Sequence, residues 1–253
     1  MRTHPNKLIV VMCVLLMSGR GFALAQSPMF EFGKQTSFTN ISSDKKDRGT
    51  ALRWFDVNTS KETWRVEKDG SLVCSGKPIG VVRSERQYEN FILHVEWKHN
   101  ESGGNSGVFI WSSAVPNENR LPNGVEVQML ELDWVNLNTR DGVKPPIAYV
   151  HGELFGVANV KTAADNPRGE RSKSIENRVK GKGEWNTYDV VCVDGVIKLS
   201  VNGKFVNGIS KSTQKKGYIC LEAEGAEIEF RNFKIIELAP GVTSAGQTAG
   251  LLR

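Results

Sequence analysis

The chain has 253 residues, of which 39% are hydrophobic, 24% charged and 8% aromatic, which is ordinary globular composition and excludes collagen and extended disorder. Its formal charge of +5 includes Arg2, Lys7 and Arg20, which lie in a leading segment without Asp or Glu, so the rest of the chain carries +2. The pI near 9.0 therefore belongs largely to the N-terminus, and a nucleic-acid partner is not expected.

Residues 1–25 read as a secretory signal. Arg2, His4 and Lys7 precede the apolar run Leu8 to Met17, and Ala23-Leu24-Ala25 offers a cleavage site. The run is too short to span about 30 Å of hydrocarbon, and no later stretch reaches the ~20 apolar residues needed, so export without stable membrane insertion is expected, to the periplasm or beyond. Cys13 follows Met12 rather than a small residue, which argues against a lipid anchor. Residues 26–49 form an N-terminal extension.

From residue 50 onward the dominant period is two. Asp69-Gly70 separates Trp64-Arg65-Val66 from Leu72-Val73-Cys74 as a hairpin turn would. Phe91, Leu93, Val95 and Trp97 alternate with Ile92, His94, Glu96 and Lys98, which predicts a strand with one face on a core. Val125, Val127 and Met129 alternate with Glu126 and Gln128. Asp194-Gly195 and Asn202-Gly203 predict two further hairpins around Val191 to Val201, and Ile228 and Phe230 alternate with charged residues. About ten strands in one domain must protect their edges, which points to two packed antiparallel sheets, a β-sandwich over residues 50–238. Ser113 to Asn123 and Lys161 to Gly183 read as long polar loops rimming a site. The tail, residues 239–253, reads as disordered.

Cys74, Cys192 and Cys220 sit in apolar or alternating sequence, as buried inert thiols would; Cys192 with Cys220 is the one pair to test for a disulfide.

Glu126 to Glu131 is the most chemically loaded segment, because Glu126 and Gln128 share the face opposite the apolar residues. A β-bulge near Leu130 would turn Glu131 onto that face as well. A solvated strand face explains the same pattern. Asn105 and Ser106, in the Gly-rich turn after the strand at 91–98, could donate to a ligand hydroxyl, and the bland alternative is a plain turn. His151 could serve as general base or metal ligand, or as a structural histidine, and His94 with Glu96 forms a second ionisable pair. Trp111 and Trp134 flank these strands, and flat apolar rings beside amides and carboxylates suit sugars. No structural zinc spacing, Ser-His-Asp signature or phosphate loop is present.

These residues resemble the 3-keto-disaccharide hydrolase family. The segments in register are Tyr88 to Leu93, Asn105 to Ile110, Gly124 to Glu131, Gly152 to Gly156, Gly183 to Tyr188, Val201-Asn202-Gly203 and Phe230 to Phe233. Two positions depart from the family pattern: Trp111 stands where Arg is frequent, and Glu131 where Asp is common.

The resemblance implies an all-β, concanavalin A-like sandwich (jelly roll) of two antiparallel sheets, a carbohydrate substrate, and glycoside cleavage made easy by a ketone at C3. The ketone acidifies the C2 proton, the C1 oxygen leaves, and water adds. That route needs a base, an acid and an electrophile on the C3 oxygen, a role a divalent metal ion with carboxylate and histidine ligands would suit. It implies Glu126 as acid/base or ligand, His151 as base or ligand, Glu131, Gln128 and Asn105 as positioning groups, and Trp111 and Trp134 against the sugar. Glu126-x-Gln128-x-x-Glu131 also resembles the laminarinase-type motif, with Gln in place of its Asp, which raises direct displacement by Glu126 and Glu131 as an alternative. A non-catalytic carbohydrate-binding sandwich is the rival from another class.

Overall fold

The computed structural model describes residues 53–116, 120–241 and 243–249; the signal peptide, the N-terminal extension and Cys13 lie outside them. The chain order is β1 (Trp54–Val57), β2 (Trp64–Val66), β3 (Leu72–Cys74), β4 (Gly80–Ser84), β5 (Phe91–His99), β6 (Asn105–Ser112) and β7 (Gly124–Leu130). A short helix α1 (Trp134–Leu137) and a 3-10 turn (Ile147–Val150) lead into β8 (Leu154–Val157), β9 (Ala163–Ala164), β10 (Pro167–Arg168) and β11 (Arg171–Ser172). The remainder is β12 (Asn186–Val193), β13 (Val196–Val201), β14 (Lys204–Ser210), β15 (Tyr218–Ala223) and β16 (Ile228–Glu237).

The strands form two eight-stranded sheets. Sheet 1 has the order β1-β4-β15-β6-β7-β8-β11-β10, sheet 2 the order β2-β3-β16-β5-β12-β13-β14-β9, and the paired strands are antiparallel. The expected two-sheet sandwich is thus present. The expectation of about ten strands is too low, in part because β9, β10 and β11 are two-residue strands inside the segment read as a polar loop. A strand that short has no period to detect.

The core lies between the sheets, and alternation fills it as read: Phe91, Leu93, Val95 and Trp97 from β5 meet Val125, Val127 and Met129 from β7. Asp194 and Gly195, with φ of 46° and 79°, turn β12 into β13, and Asn202 and Gly203 (50° and 79°) turn β13 into β14. Both pairs have the positive φ that two-residue hairpins demand. Two polar side chains cross the core to hold β7: Tyr188 Oη donates to the Gln128 carbonyl at 2.7 Å, and His99 Nε2 lies 2.9 Å from the Met129 carbonyl.

Cys74, Cys192 and Cys220 are free and buried, and burial pushes the Cys74 and Cys220 thiols up to about 12. No helix among the described residues is long and apolar enough to cross a membrane.

The tail corrects an expectation, since it is packed as far as Ala249. Ala249 N donates to the Lys216 carbonyl, and the Ala249 carbonyl accepts from Gln87 Nε2, both at 2.8 Å. Backbone hydrogen bonding to strand-flanking residues holds it where side-chain composition gave no signal.

Trp111 is the second correction. The β6–β15 ladder shifts register between Tyr218 and Cys220, and Trp111 has φ of 52°. The bulge turns Trp111 inward with its neighbour Ile110, so both sit in the core with 0% exposure. Its indole Nε1 donates to the Glu89 carbonyl at 2.8 Å, and it has no surface to offer a sugar. Gly217 makes room for this bulge, since a Cβ there would lie 2.3 Å from the Trp111 carbonyl carbon. Gly217→Ala is therefore expected to cost about 1–3 kcal/mol of unfolding free energy, measured by urea denaturation.

Candidate active face on sheet 1

The face of sheet 1 turned away from the core carries the ionisable groups. On β7, Val125, Val127 and Met129 enter the core, so Glu126 and Gln128 face outward. Register then sets their neighbours: Glu126 lies opposite Phe109 of β6 and Phe155 of β8, and Gln128 lies opposite Gly107. Gln128 Nε2 donates to Asn105 Oδ1 at 2.9 Å, and Asn105 Nδ2 donates to Glu224 Oε2 at 2.5 Å. Asn105, Gln128 and Glu126 thus lie together on this face.

Two further carboxyls join them that the sequence reading missed. Glu222 of β15 and Glu224 just beyond it alternate with Leu221 and Ala223, which are core residues. That period-two pattern was the signal that could have found them. Gly107 is the residue they close over: a Cβ there would sit 3.0 Å from Glu126 Oε1 and 3.1 Å from Glu222 Oε2. Any side chain at 107 would take the space the carboxyls occupy.

Burial dominates the electrostatics. It pushes Glu126 up to about 8, helped by the charge of Glu224 and opposed by the Arg171 guanidinium. Glu222 is raised well above the usual carboxylate range by burial and by its neighbours Glu126 and Glu224. Glu224 is also raised by burial. Among the described residues, neither Glu222 oxygen has an N–H or O–H donor.

On the other side of Glu126, Arg168 and Arg171 converge on Glu153. Arg168 Nε donates to Glu153 Oε1 at 2.8 Å and Arg171 Nη1 to Oε2 at 3.1 Å, with Glu153 wholly buried. Arg171 stacks 3.6 Å over the Phe155 ring, and Arg168 lies 3.9 Å over Tyr149. These arginines, on β10 and β11, were also missed, since nothing in a polar run marks a two-residue strand. Tyr149 continues to Trp134, with ring centroids 5.9 Å apart, and both line a cavity of about 390 Å³ with Arg140, Lys144, Pro145 and Pro146. Trp134 thereby stays a candidate sugar contact, joined to Glu153 through Tyr149 and Arg168.

Glu131 is a correction. The β6–β7 ladder is in register through Leu130, without the expected bulge, and Glu131 stays off the outer face. Its carboxylate accepts from the backbone N–H groups of Gly103 (2.7 Å), Asp133 (2.8 Å) and Lys182 (3.2 Å), so it ties three loops together. Five residues of strand separate Glu126 and Glu131, roughly 16 Å at ~3.3 Å per residue, far beyond the ~5.5 Å of a retaining pair. His151 ends the 3-10 turn, and its imidazole, 5% exposed, is drawn down to about 4 by burial. Its Nδ1 has no hydrogen-bond partner among the described residues, and no described hydrogen bond joins it to Glu126. His94 and Glu96 lie on sheet 2, where His94 Nδ1 meets Asp189 at 2.7 Å and Glu96 accepts from Arg231 Nε at 2.7 Å. Among the described residues no group of three His, Cys, Asp or Glu side chains is arranged to hold a metal ion.

An antiparallel two-sheet sandwich of this order is the jelly-roll fold shared by glycosyl hydrolase-like proteins and carbohydrate-binding modules. A protein from Parabacteroides distasonis, described as a candidate glycosyl hydrolase, is similar at a TM-score of 0.57 and 21% identity, over 74% of this chain and 89% of that one. The carbohydrate-binding module CBM66 from Bacillus subtilis gives 0.50 at 13% identity, over 72% and 94%. No protein with a curated description matches the chain. The model of the 3-keto-alpha-glucoside-1,2-lyase-like domain matches residues 39–236, and the chain belongs to that family.

Since Glu126 goes from an ordinary 4.5 to about 8 on folding, the folded state holds a proton the unfolded state releases. Its stabilising effect is complete below about 4.5 and is lost as pH rises through about 8. Melting temperature is expected to fall across that window, and Glu126→Gln, which carries no charge, to flatten the decline.

Proposed function

We propose that this protein is an exported enzyme that cleaves 3-keto-glycosides by elimination at C1–C2 followed by hydration. The observation that carries the reading is the outward pairing of a carboxyl held protonated near neutrality, Glu126, with the hydrogen-bonded carboxyl Glu224. Family membership supports the substrate class, and the leader-like residues 1–25 support export.

In this mechanism the Glu224 carboxylate removes the C2 proton. Electron density moves onto the C3 oxygen, where the Arg171 guanidinium offsets the developing charge. The C1–O bond breaks as Glu126 gives its proton to the departing oxygen. Water then adds to C1 of the resulting enone: ionised Glu126 takes a proton from water, and Glu224 returns its proton to C2. Both carboxyls regain their starting states, and the net change is hydrolysis. Asn105 orients the base by its hydrogen bond to Glu224, and Gln128 holds Asn105 in turn. The Trp134–Tyr149 cavity would receive a second sugar ring on its aromatic floor.

The expected result is cleavage of a 3-keto-glucoside without cleavage of its unoxidised parent. Glu126→Gln is expected to lower kcat by at least about 100-fold, the scale of a lost general acid. Activity should fall on the alkaline side through about 8, where Glu126 loses its proton. Sugar binding without turnover, unchanged in Glu126→Gln, would instead assign a binding module.

A further inference from the structure

Glu153 is a wholly buried carboxylate to which the mechanism above gives no part. It precedes the core residue Leu154, so period two puts it on the same face as Phe155. The Gln128 N–H donates to its carbonyl at 3.0 Å, which pins its backbone to β7. Its two oxygens are shared unequally. Arg168 grips Oε1 through both Nε, at 2.8 Å, and Nη2, whereas Arg171 reaches Oε2 through Nη1 alone, at 3.1 Å. One carboxylate thus serves two guanidinium groups, and one positive charge is left over.

Stacking decides where that surplus lies. Arg168 sits 3.9 Å over the Tyr149 ring, in the 3-10 turn, and Arg171 sits 3.6 Å over Phe155. Phe155 is directly opposite Glu126 in the β7–β8 ladder, where facing Cβ atoms are about 5 Å apart, so Arg171 is the guanidinium beside Glu126. The Phe155 ring covers one flat side of Arg171, and Glu153 holds one corner. Its Nε and Nη2 have no hydrogen-bond partner among the described residues and are not buried, so that edge is open. A guanidinium held in this way keeps free donors in a fixed plane, ready for an oxygen on which negative charge gathers.

We propose that Glu153 is a positioning residue that, together with Phe155, fixes the Arg171 guanidinium beside Glu126 with its open edge toward the C3 oxygen of the substrate. The proposal rests on the reading of Arg171 as the group that meets the enolate charge. Arg168 completes the arrangement, since its two donors fix the carboxylate on which Arg171 rests.

Two measurements on the full chain test it. The variant Glu153→Gln keeps the volume but has one acceptor oxygen, which the two donors of Arg168 retain, and an amide N–H end that repels Arg171. The first measurement is nitrogen NMR of the arginine side chains, with Arg171 identified by the signal missing from Arg171→Lys. Its guanidinium is expected to rotate slowly in the unaltered protein and freely in Glu153→Gln. Free rotation in the unaltered protein, or slow rotation in the variant, overturns the proposal.

The second is a double-mutant cycle on a 3-keto-glucoside. Glu153→Gln is expected to lower kcat by about 10- to 100-fold with KM nearly unchanged, the scale of a misplaced group. In an Arg171→Ala background the same change should lower kcat no further. Equal losses in both backgrounds overturn the role, because a merely structural Glu153 acts whether or not Arg171 is there. If the surplus charge prevents Glu153→Gln from folding, Glu153→Gln/Arg168→Gln removes it and is expected to show the same loss; full kcat in that variant overturns the proposal. If the unaltered protein cleaves no keto-glycoside, the enolate role of Arg171 falls with the reading of the site, while the NMR result still decides whether Glu153 holds it.

Discussion

Carboxyl groups buried without an adequate counter-ion dominate the outer face of sheet 1. Glu126 and Glu222 lie over the same missing side chain at Gly107, and Glu224 stands beside them on Asn105. Removing such groups from water penalises their charged forms, so protons are retained where an exposed glutamate would have none. A cluster of this kind opposes folding as pH rises, and the rest of the molecule has to hold it in place. The sandwich core supplies that support. Strand β7, which bears Glu126, is anchored from below by Tyr188 and His99 and filled on its inner face by Val125, Val127 and Met129.

The site was legible to the extent that alternation was regular. Glu126 and Gln128 fall on one face because β7 is an unbroken strand, and Asn105 joins them because β6 pairs with it in register. Alternation also put Glu131 on the wrong face for catalysis; it was the invoked bulge that brought it into the site, and the ladder has none there. The bulge lies at Trp111 instead, where a positive φ sends two successive side chains into the core. A bulge is a backbone event, set here by the close approach of Gly217, and hydropathy does not record it.

The missed residues have different causes. Glu222 and Glu224 were visible in the alternation with Leu221 and Ala223, but the partner that gives them meaning, Gly107, lies on another strand more than a hundred positions away. Arg168 and Arg171 sit on strands of two residues, whose place in the sheet depends on pairing with β8 rather than on their own pattern. The packed tail is held mainly through backbone groups, which every sequence possesses alike.

The arrangement of charge along the face bears on the choice between turnover and simple binding. One end has two arginines sharing the single carboxylate of Glu153, a local excess of positive charge. The other has three carboxyls that burial raises above the ordinary carboxylate range, with no arginine or lysine paired to them among the described ion pairs. Phe155 and Glu126 lie between these ends. Neutral sugar recognition needs neither a surplus cation nor suppressed acids, since hydroxyls are met well by amides and ring faces. A ketone turning into an enolate beside a departing oxygen needs both, a cation where negative charge gathers and acids where protons change hands.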